Sequence, residues 1–503
     1  MKKILLISGI FAALVSATSC NMDLRPAGVI DPNESLETKE DADKLRDGMY
    51  HLLRSTVGGG YASIDEIRSD LFHATSSFGN NGGTMYNWIQ TATDGDASSL
   101  WANSYYVIAD ANFFLQRANA VNTSEWTEQD RASLDVYKGE AYFIRAYHHM
   151  ELAELFCLDY VGNEQSYGIP YVTRYAPTSD QTQYPSRGTL EHTFEMILAD
   201  LDSAAKYITT PGQRGSDRIT KDAVTALQAR VALQMGDYDT AADKANELIE
   251  SGTYPLVSSE TSFNAMWTSD ATDESILMLY ASRTELGASN DYGYIGYSAN
   301  KDQYSPYYVP EQWVIDLYEP EDWRFKNQFL QTDILAGGGQ TFNLYIFYKF
   351  IGNSALRVGS GYNYQIRPKV FRIAEMYLIR AEAVARGGVL SSGTSNPLSD
   401  LNLLRNARGA TALSGTGDEQ ILSLILEERV RELIGEGFRI QDLKRFRVNL
   451  QRHTAQVPEA IYMPASNQET FEKSYTDDRM LYPIPQTELD ANPNMAAQQN
   501  SGY

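Results

Sequence analysis

Residues 428–446 read ERVRELIGEGFRIQDLKRF, a stretch that predicts two helices joined by a short turn containing glycine. Upstream of the turn, apolar side chains recur every three or four positions from residue 421 to residue 434, as on one face of a helix. Gly435 and Gly437 are expected to end this helix, because glycine readily adopts the left-handed conformation found at helix ends. The run Arg439–Phe446 then predicts a second, shorter helix.

Charged residues are spread through this stretch and do not lie on one face. We expect a structural ion-pair network that docks the two helices, and prefer that interpretation to a catalytic site, since structural networks also collect charges. The residues concerned are Arg429, Arg431, Glu432, Glu436, Arg439, Asp442 and Arg445. Ahead of them, Thr416 and Glu419 have the spacing of a capping box and are expected to start the first helix.

The stretch resembles the SusD/RagB family of surface lipoproteins, whose members carry the signature E-R-x-x-E-L-x-x-E-G-x-R-x-x-D-L-x-R. The matching residues are Glu428, Arg429, Glu432, Leu433, Glu436, Gly437, Arg439, Asp442, Leu443 and Arg445. The run KGEAYFIRAY at residues 138–147 and the ending that starts with LYPIP at residues 481–485 also resemble the family. The resemblance therefore extends over most of the chain.

Two further segments are typical of antiparallel helix pairs of the tetratricopeptide type. In residues 218–252, Gly236 and Asp237 separate two helices, and alanines on the second allow the axes to approach closely. Residues 372–386 and 398–408 predict another pair. Stacked pairs bury a continuous core and leave a concave surface. With the resemblance, these patterns predict a mostly α-helical, SusD-like superhelix of tetratricopeptide-type helix pairs.

A long irregular segment, residues 258–368, interrupts the helical pattern and contains short expected strands at residues 276–281 and 345–350. We divide the chain into a signal peptide at residues 1–19, an N-terminal SusD-like region at 20–257 and a C-terminal SusD/RagB region at 258–503. The C-terminal region consists of the loop-rich part 258–368, a helical part 369–450 and a closing tail 451–503. After the leader, one compact fold is expected.

The first twenty residues have the pattern of a bacterial lipoprotein leader. Lys2 and Lys3 precede an apolar run at residues 4–15, which is too short to span a bilayer as a helix. Small residues then lead to Cys20, which is expected to carry the lipid; ordinary cleavage after Ala17 with a free cysteine is the alternative. The expected location is the cell surface, anchored by lipid to the outer membrane.

Composition and motifs exclude several other functions. A formal net charge of −23 repels phosphate backbones, so no nucleic-acid partner is expected. Phosphate-binding loops, serine nucleophile elbows and zinc-protease motifs are absent from the sequence, so we predict no catalytic residue, metal or cofactor. Asp94-Gly95-Asp96 lacks the further ligands of a calcium loop, so a turn is expected there. Cys157 is expected to be a small buried residue.

Two stretches combine aromatic rings with polar groups, as a carbohydrate site requires. Sugars present C–H faces that lie on rings, and their hydroxyls need hydrogen-bond partners. The resemblance implies aromatic residues on loops in these two regions. The candidate ligand-binding residues are Phe78, Tyr86, Asn87, Trp88, Tyr292, Tyr294, Tyr297 and Tyr304. The alternative for each ring is that it packs its loop onto the scaffold.

The resemblance implies a binding protein, not an enzyme. Such proteins capture a nutrient oligosaccharide and pass it to a SusC-like TonB-dependent barrel in the outer membrane. A peptide ligand, as in the RagB branch, is the first alternative. A secreted glycan hydrolase and a purely structural repeat protein of the cell surface are the others.

Overall fold

The computed structural model describes residues 35–287, 289–359, 364–462 and 471–503. Across these ranges the chain forms sixteen α-helices and ten short β-strands. The predicted signal peptide and Cys20 lie outside the described residues. The boundary that we place at residues 257 and 258 stays a prediction.

The N-terminal part is a set of long helices with one short strand and two short helices between them. Apolar faces and side-chain caps define these helices; Thr38, for example, accepts a hydrogen bond from the Asp41 N–H and forms a complete capping box. The elements are α1 (Lys39–Thr56), α2 (Gly60–Arg68), β1 (Phe72–Ala74), α3 (Gly83–Tyr86), α4 (Gly95–Ala120), α5 (Glu128–Phe156) and α6 (Leu190–Tyr207). At Asp94-Gly95-Asp96, where a turn was expected, the chain instead begins α4, and Asp94 caps this helix by accepting from the Asp96 N–H.

The first predicted helix pair is confirmed as α7 (Lys221–Met235) and α8 (Tyr238–Glu250). Gly236 ends α7 with φ of 73° and Asp237 caps α8, so the two residues form the turn between the helices. Ala241, Ala242 and Ala245 on α8 are fully buried. Their small side chains allow the two helix axes to approach closely.

The middle of the chain contains most of the strands. In chain order the elements are α9 (Glu260–Thr268), β2 (Ser275–Met278), β3 (Tyr297–Ser298), β4 (Gln303–Tyr304), β5 (Tyr308–Pro310), α10 (Gln312–Asp316), α11 (Trp323–Gln328), β6 (Phe329–Ala336), β7 (Gln340–Phe347) and β8 (Lys369–Arg372). The sheet β3-β4-β6-β7 includes the antiparallel hairpin β6–β7, in which Phe329 is paired with Phe347. The other pairs here are β1 with β5 and β2 with β8.

The C-terminal part returns to helices and ends in a long tail. Its elements are α12 (Ile373–Ala385), α13 (Pro397–Asn406), α14 (Asp418–Leu433), α15 (Arg439–Phe446), β9 (Leu450–Arg452), β10 (Phe471–Lys473) and α16 (Gln486–Ala491). The second predicted helix pair is confirmed as α12 and α13. The largest apolar cluster contains side chains from α1, α4 to α8 and α12.

The stretch at residues 428–446 folds as expected except at its start. Gly435 and Gly437 have φ of 82° and 89° and separate α14 from α15. The capping box predicted from Thr416 and Glu419 is wrong: Gly417 is the N-cap residue and no side chain caps the helix there. Instead, the Thr416 N–H donates to the Gln420 side chain.

The charges of this stretch form a buried ion-pair network, as expected. Arg429 on α14 and Arg445 on α15 both bind Asp442, with N–O distances of 2.8 and 2.9 Å. Arg445 and Asp442 are themselves on α15, so Arg429 supplies the contact between the helices. This supports the structural interpretation of the charges.

The centre of the network is Glu432, whose partners come from distant parts of the chain. Its carboxylate lies 3.3 Å from Arg324, 2.8 Å from Arg372 and 2.9 Å from Arg408. Burial would raise the pKa of this carboxyl, but the three guanidinium groups hold it well below its usual range. The network therefore joins α11, β8, α14 and the segment that follows α13 through one charged side chain.

The tail after residue 480 packs back on the N-terminal helices. Arg187 donates from Nη1 to the Gln498 carbonyl at 2.9 Å and to Asn500 Oδ1 at 2.8 Å. Asn500 in turn donates to the carbonyl oxygens of Phe156 and Tyr482. Beside them Cys157 is free and buried, as expected.

Candidate ligand-binding site

The two aromatic stretches predicted as a site are brought into contact by the fold. Strand β1 pairs with β5, and the Thr75 N–H donates to the Tyr307 carbonyl at 2.8 Å. The ring of Tyr308, the first residue of β5, lies 5.7 Å from the Tyr86 ring and 6.4 Å from the Tyr292 ring, between centroids. Residues 72–88 and 292–310 are therefore one structural unit, which we name the aromatic loop pair.

Four of the eight predicted site residues are interior residues of the aromatic loop pair. Phe78, Tyr86, Trp88 and Tyr294 are 4%, 2%, 3% and 1% exposed. Phe78, Tyr86 and Tyr294 belong to one apolar cluster with Tyr308. In this structure the four rings pack the loops onto the scaffold. That these rings also contact a ligand stays a prediction.

Trp88 shows most clearly how such a ring is held. Its Nε1–H donates to the Arg68 carbonyl at 2.8 Å, and the Arg68 guanidinium lies 4.6 Å from the centre of its ring. The residue has φ of 55°, a left-handed conformation that a non-glycine residue adopts only when its surroundings hold it there. Trp88 is thus a structural anchor of the first loop.

The other four predicted residues are half-buried. Tyr292 lies against Tyr308, and Tyr297 and Tyr304 are paired across β3 and β4 with ring centres 4.9 Å apart. Asn87 donates from Nδ2 to the Gly83 carbonyl at 2.9 Å, while its buried Oδ1 has no hydrogen-bond partner among the described residues. These side chains keep part of their surface available.

Tyr307 was not among the predicted residues, although it is 38% exposed. It precedes buried Tyr308, and its ring packs against Gly293, the residue after Tyr292. Tyr307 lies just before β5, whose three residues are all buried. Its exposure follows from this position outside the strand, which no pattern in the sequence indicates.

Carboxylates lie near half-buried Tyr292 and shape the second loop. Burial raises the pKa of Tyr292, and the nearby Asp96 and Asp94 raise it further. Asp291 Oδ1 accepts hydrogen bonds from the Tyr294 and Ile295 N–H groups at 2.9 and 3.1 Å. Burial raises the pKa of Asp291 to about 7, although these two hydrogen bonds favour the ionised form. The site therefore presents rings and acceptors on a fixed backbone.

A separate cavity of about 100 Å³ lies inside the molecule, between α5, α7 and the turn after α14. It is lined by charged groups, among them Glu151, Glu154, Arg230 and Arg372. Burial raises the pKa of Glu154 to about 8, and Glu151 beside it adds to the shift. Polar lining and this volume suit a few internal water molecules.

In the part of the chain that the structure describes, no three His, Cys, Asp or Glu side chains are grouped so that they could hold a metal ion. Within the same residues, every helix is too short or too polar to cross a bilayer. His148 and His149, adjacent on α5, are both buried, and each bonds a backbone carbonyl one turn earlier.

The fold and the aromatic loop pair define a class: an α-helical repeat scaffold that carries its aromatic surface on long inserted loops. A family model described as the SusD family matches residues 330–503. A second, described as starch-binding and associating with the outer membrane, matches residues 30–233. The chain belongs to the SusD/RagB family.

One relative aligns with nearly the whole chain, and a second aligns with about a quarter of it. The SusD-like protein P2 of Formosa agariphila is 23% identical over 545 residues, which cover 97% of this chain and 98% of that protein. The starch-binding protein SusD of Bacteroides thetaiotaomicron is 35% identical over 134 residues, 27% of this chain and 21% of that protein.

Solved structures show the same fold. A SusD superfamily protein from Bacteroides thetaiotaomicron aligns with a TM-score of 0.76 and 26% identity, covering 92% of this chain and 99% of that one. A SusD-like carbohydrate-binding protein from Bacteroides vulgatus aligns with a TM-score of 0.73 and 21% identity, covering 91% and 97%. The predicted fold class, a mostly α-helical SusD-like superhelix, is confirmed.

Proposed function

We propose that this protein binds a nutrient oligosaccharide at the cell surface and delivers it to a SusC-like TonB-dependent transporter of the outer membrane. It acts by capture and release, without breaking a bond. The observation that carries the proposal is the junction of the aromatic loop pair. There the partly exposed Tyr292 and Tyr307 lie on neighbouring backbone segments, and the Tyr292 ring packs against Gly82, the residue that follows the exposed Asn80 and Asn81.

This arrangement suits a sugar for physical reasons. The C–H face of a sugar ring lies on an aromatic ring, and each such contact contributes on the order of 1 kcal/mol, by analogy with aromatic pairs. Asparagine amides and the Asp96 carboxylate offer both donors and acceptors to hydroxyl groups. The names of relatives support a carbohydrate, since one is called starch-binding and another carbohydrate-binding.

Delivery to a transporter and a lipid anchor complete the proposal. Support for the location comes from the family description, which places such proteins at the outer membrane. The leader supports acylation of Cys20, which would hold the chain there because several buried methylenes contribute about 0.8 kcal/mol each. Metabolic labelling with a fatty acid tests this: label in the wild type and none in Cys20→Ala is expected.

A peptide is the second candidate ligand. Tyrosines and carboxylates also bind peptides, and the backbone N–H and C=O groups of a peptide could use the same asparagines. Binding of the chain lacking residues 1–20 to a glycan array and to peptide pools separates the two ligands. Saturable binding to a glycan and to no peptide supports the proposal, and the reverse overturns it.

The site is tested by Tyr292→Ala with Tyr106→Ala as its matched control. Tyr106 is a 65% exposed tyrosine on α4, outside the aromatic loop pair. Removal of one stacked ring is expected to weaken glycan binding about fivefold, equivalent to about 1 kcal/mol. Tyr106→Ala should bind as the wild type does. Equal affinity in both variants would remove Tyr292 from the site, and turnover of the glycan would favour a hydrolase.

A further inference from the structure

A second pocket, of about 250 Å³, lies between α4, α16 and two loop segments on the helical side of the molecule. Its lining includes Trp101, Tyr105, Pro170, Tyr184, Glu488 and Asn492, and none of the residues that line it is basic. None of them belongs to the aromatic loop pair. We name this cavity the α4–α16 pocket.

The aromatic wall of the α4–α16 pocket is rigid. The rings of Trp101 and Tyr105 lie 4.9 Å apart between centroids, and Phe156 supports Trp101 edge-on at 4.9 Å. The Tyr105 hydroxyl donates to the Pro170 carbonyl at 2.8 Å, which fixes one loop against the helix. Tyr184 adds a third aromatic side chain to the lining, beside Pro170 and Pro185.

One carboxylate faces these rings. Glu488 Oε2 accepts a long hydrogen bond of 3.4 Å from Trp101 Nε1, and Oε1 accepts one of 3.1 Å from Asn492 Nδ2. A carboxylate has about four acceptor positions, so two directions remain for a ligand. Both partners of Glu488 are neutral, and they leave its negative charge in place.

Arg187 is a basic group close enough to Tyr105 to act on it electrostatically, but its hydrogen bonds go elsewhere. Its guanidinium donates to the carbonyl oxygens of Gly168 and Gln498 and to the side chain of Asn500. The pocket therefore combines three aromatic side chains with one carboxylate whose two hydrogen-bond partners are neutral, the chemistry that attracts an organic cation.

We propose that the α4–α16 pocket binds an organic ammonium group, held over Trp101, Tyr105 and Tyr184 and paired with the Glu488 carboxylate. The volume lies just under the common range for small-molecule sites, about 300 Å³ and above, so a single small headgroup fits. The proposal is independent of the proposed function, because the two sites share no lining residue and can be tested separately.

Choline is a suitable probe, titrated calorimetrically into the purified chain. Its uncharged isostere, in which a quaternary carbon replaces the quaternary nitrogen, has the same shape and no charge. Choline is expected to bind saturably and the isostere about tenfold more weakly or not at all, because the ring faces and the carboxylate attract charge. Equal binding of the two compounds, or no choline binding, overturns the proposal.

The residues are tested by Glu488→Gln, with Asp490→Asn as the matched control. Both variants remove one negative charge from α16, but Asp490 is exposed and lies outside the pocket, bonded to Gln486. Glu488→Gln should weaken choline about tenfold, as expected for loss of a charge-assisted contact, and leave the isostere unchanged. Tyr184→Leu should also weaken choline. If Glu488→Gln binds choline as tightly as the wild type does and has the same thermal stability, the proposal is wrong.

Discussion

Glu66 on α2 accepts a hydrogen bond from the Gly437 N–H at 2.8 Å, a contact between residues 371 positions apart. Gly437 separates α14 from α15, and its left-handed backbone directs this N–H toward α2. The bond therefore links the N-terminal helices to the stretch that carries the family signature. It also places a carboxyl group where water does not reach, since Glu66 is 1% exposed.

Glu66 should make the stability of the protein depend on pH. Burial raises its pKa to about 8, although the Gly437 and Gly435 N–H groups favour the charged form. The folded state therefore holds a proton that the unfolded state loses above a pKa of about 4.5. Stability from this group is fully present below that value and is lost as pH rises toward 8 and above.

Glu66→Gln removes this titration, because the amide has no proton to lose. Relative to the wild type, the variant should be similar at about pH 5 and more stable at about pH 9, by on the order of 3 kcal/mol. Urea unfolding at the two pH values measures the difference. Exposed Glu419→Gln serves as control and should not change the slope. If the free energies of unfolding of the wild type and Glu66→Gln differ by the same amount at both pH values, the prediction is wrong.

Glu432→Ala should be strongly destabilising. The substitution leaves Arg324, Arg372 and Arg408 buried with one carboxylate fewer, and removing one member of a buried ion network typically costs 3–5 kcal/mol, about the margin of many domains. Denaturant unfolding followed by circular dichroism gives the loss. Glu40→Ala, which removes an exposed i,i+4 pair with Lys44, is the control and should leave the midpoint unchanged. Equal midpoints in the two variants would show that the network contributes nothing.

Trp88→Ala and Tyr292→Ala should separate stability from binding. Trp88 is buried and its Nε1–H is bonded to the Arg68 carbonyl, so its loss should cost about 3–5 kcal/mol of stability. Tyr292 is half-buried, and its loss should weaken ligand binding with little effect on the melting temperature. Differential scanning calorimetry and glycan titration of both variants measure this. A Trp88→Ala variant with the same melting temperature as the wild type would contradict the anchoring role.

Gly435→Ala should destabilise more than Gly417→Ala, although both glycines have positive φ, of 82° and 84°. A Cβ on residue 435 would lie 2.7 Å from Phe350 and 2.8 Å from Phe347, whereas residue 417 faces open space. Gly417→Ala then measures backbone strain without a clash, together with the loss of glycine at the N-cap of α14, about 1–3 kcal/mol. The excess for Gly435→Ala in chemical denaturation reports the clash. Equal losses would mean that the two phenylalanines move aside at no cost.

The helices could be predicted because their signals are local. The pair α7 and α8 carries its own turn residues, Gly236 and Asp237, and its own run of alanines. Every contact that defines the pair lies within about thirty residues. The same reasoning failed at Thr416, where the spacing of a capping box was present but a neighbouring glycine took the cap position.

The strands and the site could be predicted only in part. Three consecutive glycines, Gly337–Gly339, join β6 to β7 and are a turn signal, but the strands are partly exposed and only the end of β7 was expected. The aromatic rings were found by composition, but whether a ring is buried depends on partners far along the chain. Tyr308, for example, donates to the Asn81 carbonyl, 227 residues away. The α4–α16 pocket, built from four separate segments, left no pattern at all.

The bond between Arg187 and Asn500 has a consequence for how the chain is made. Synthesis proceeds from the N-terminus, so α4 to α6 are complete long before their partners in the tail exist. Until residue 500 is available, the Arg187 guanidinium lacks two of its acceptors and α16 cannot close the pocket beside Trp101. Contacts of such long range slow folding. Folding of this half is therefore completed only once the tail has been synthesised, and apolar faces that the tail covers stay exposed until then.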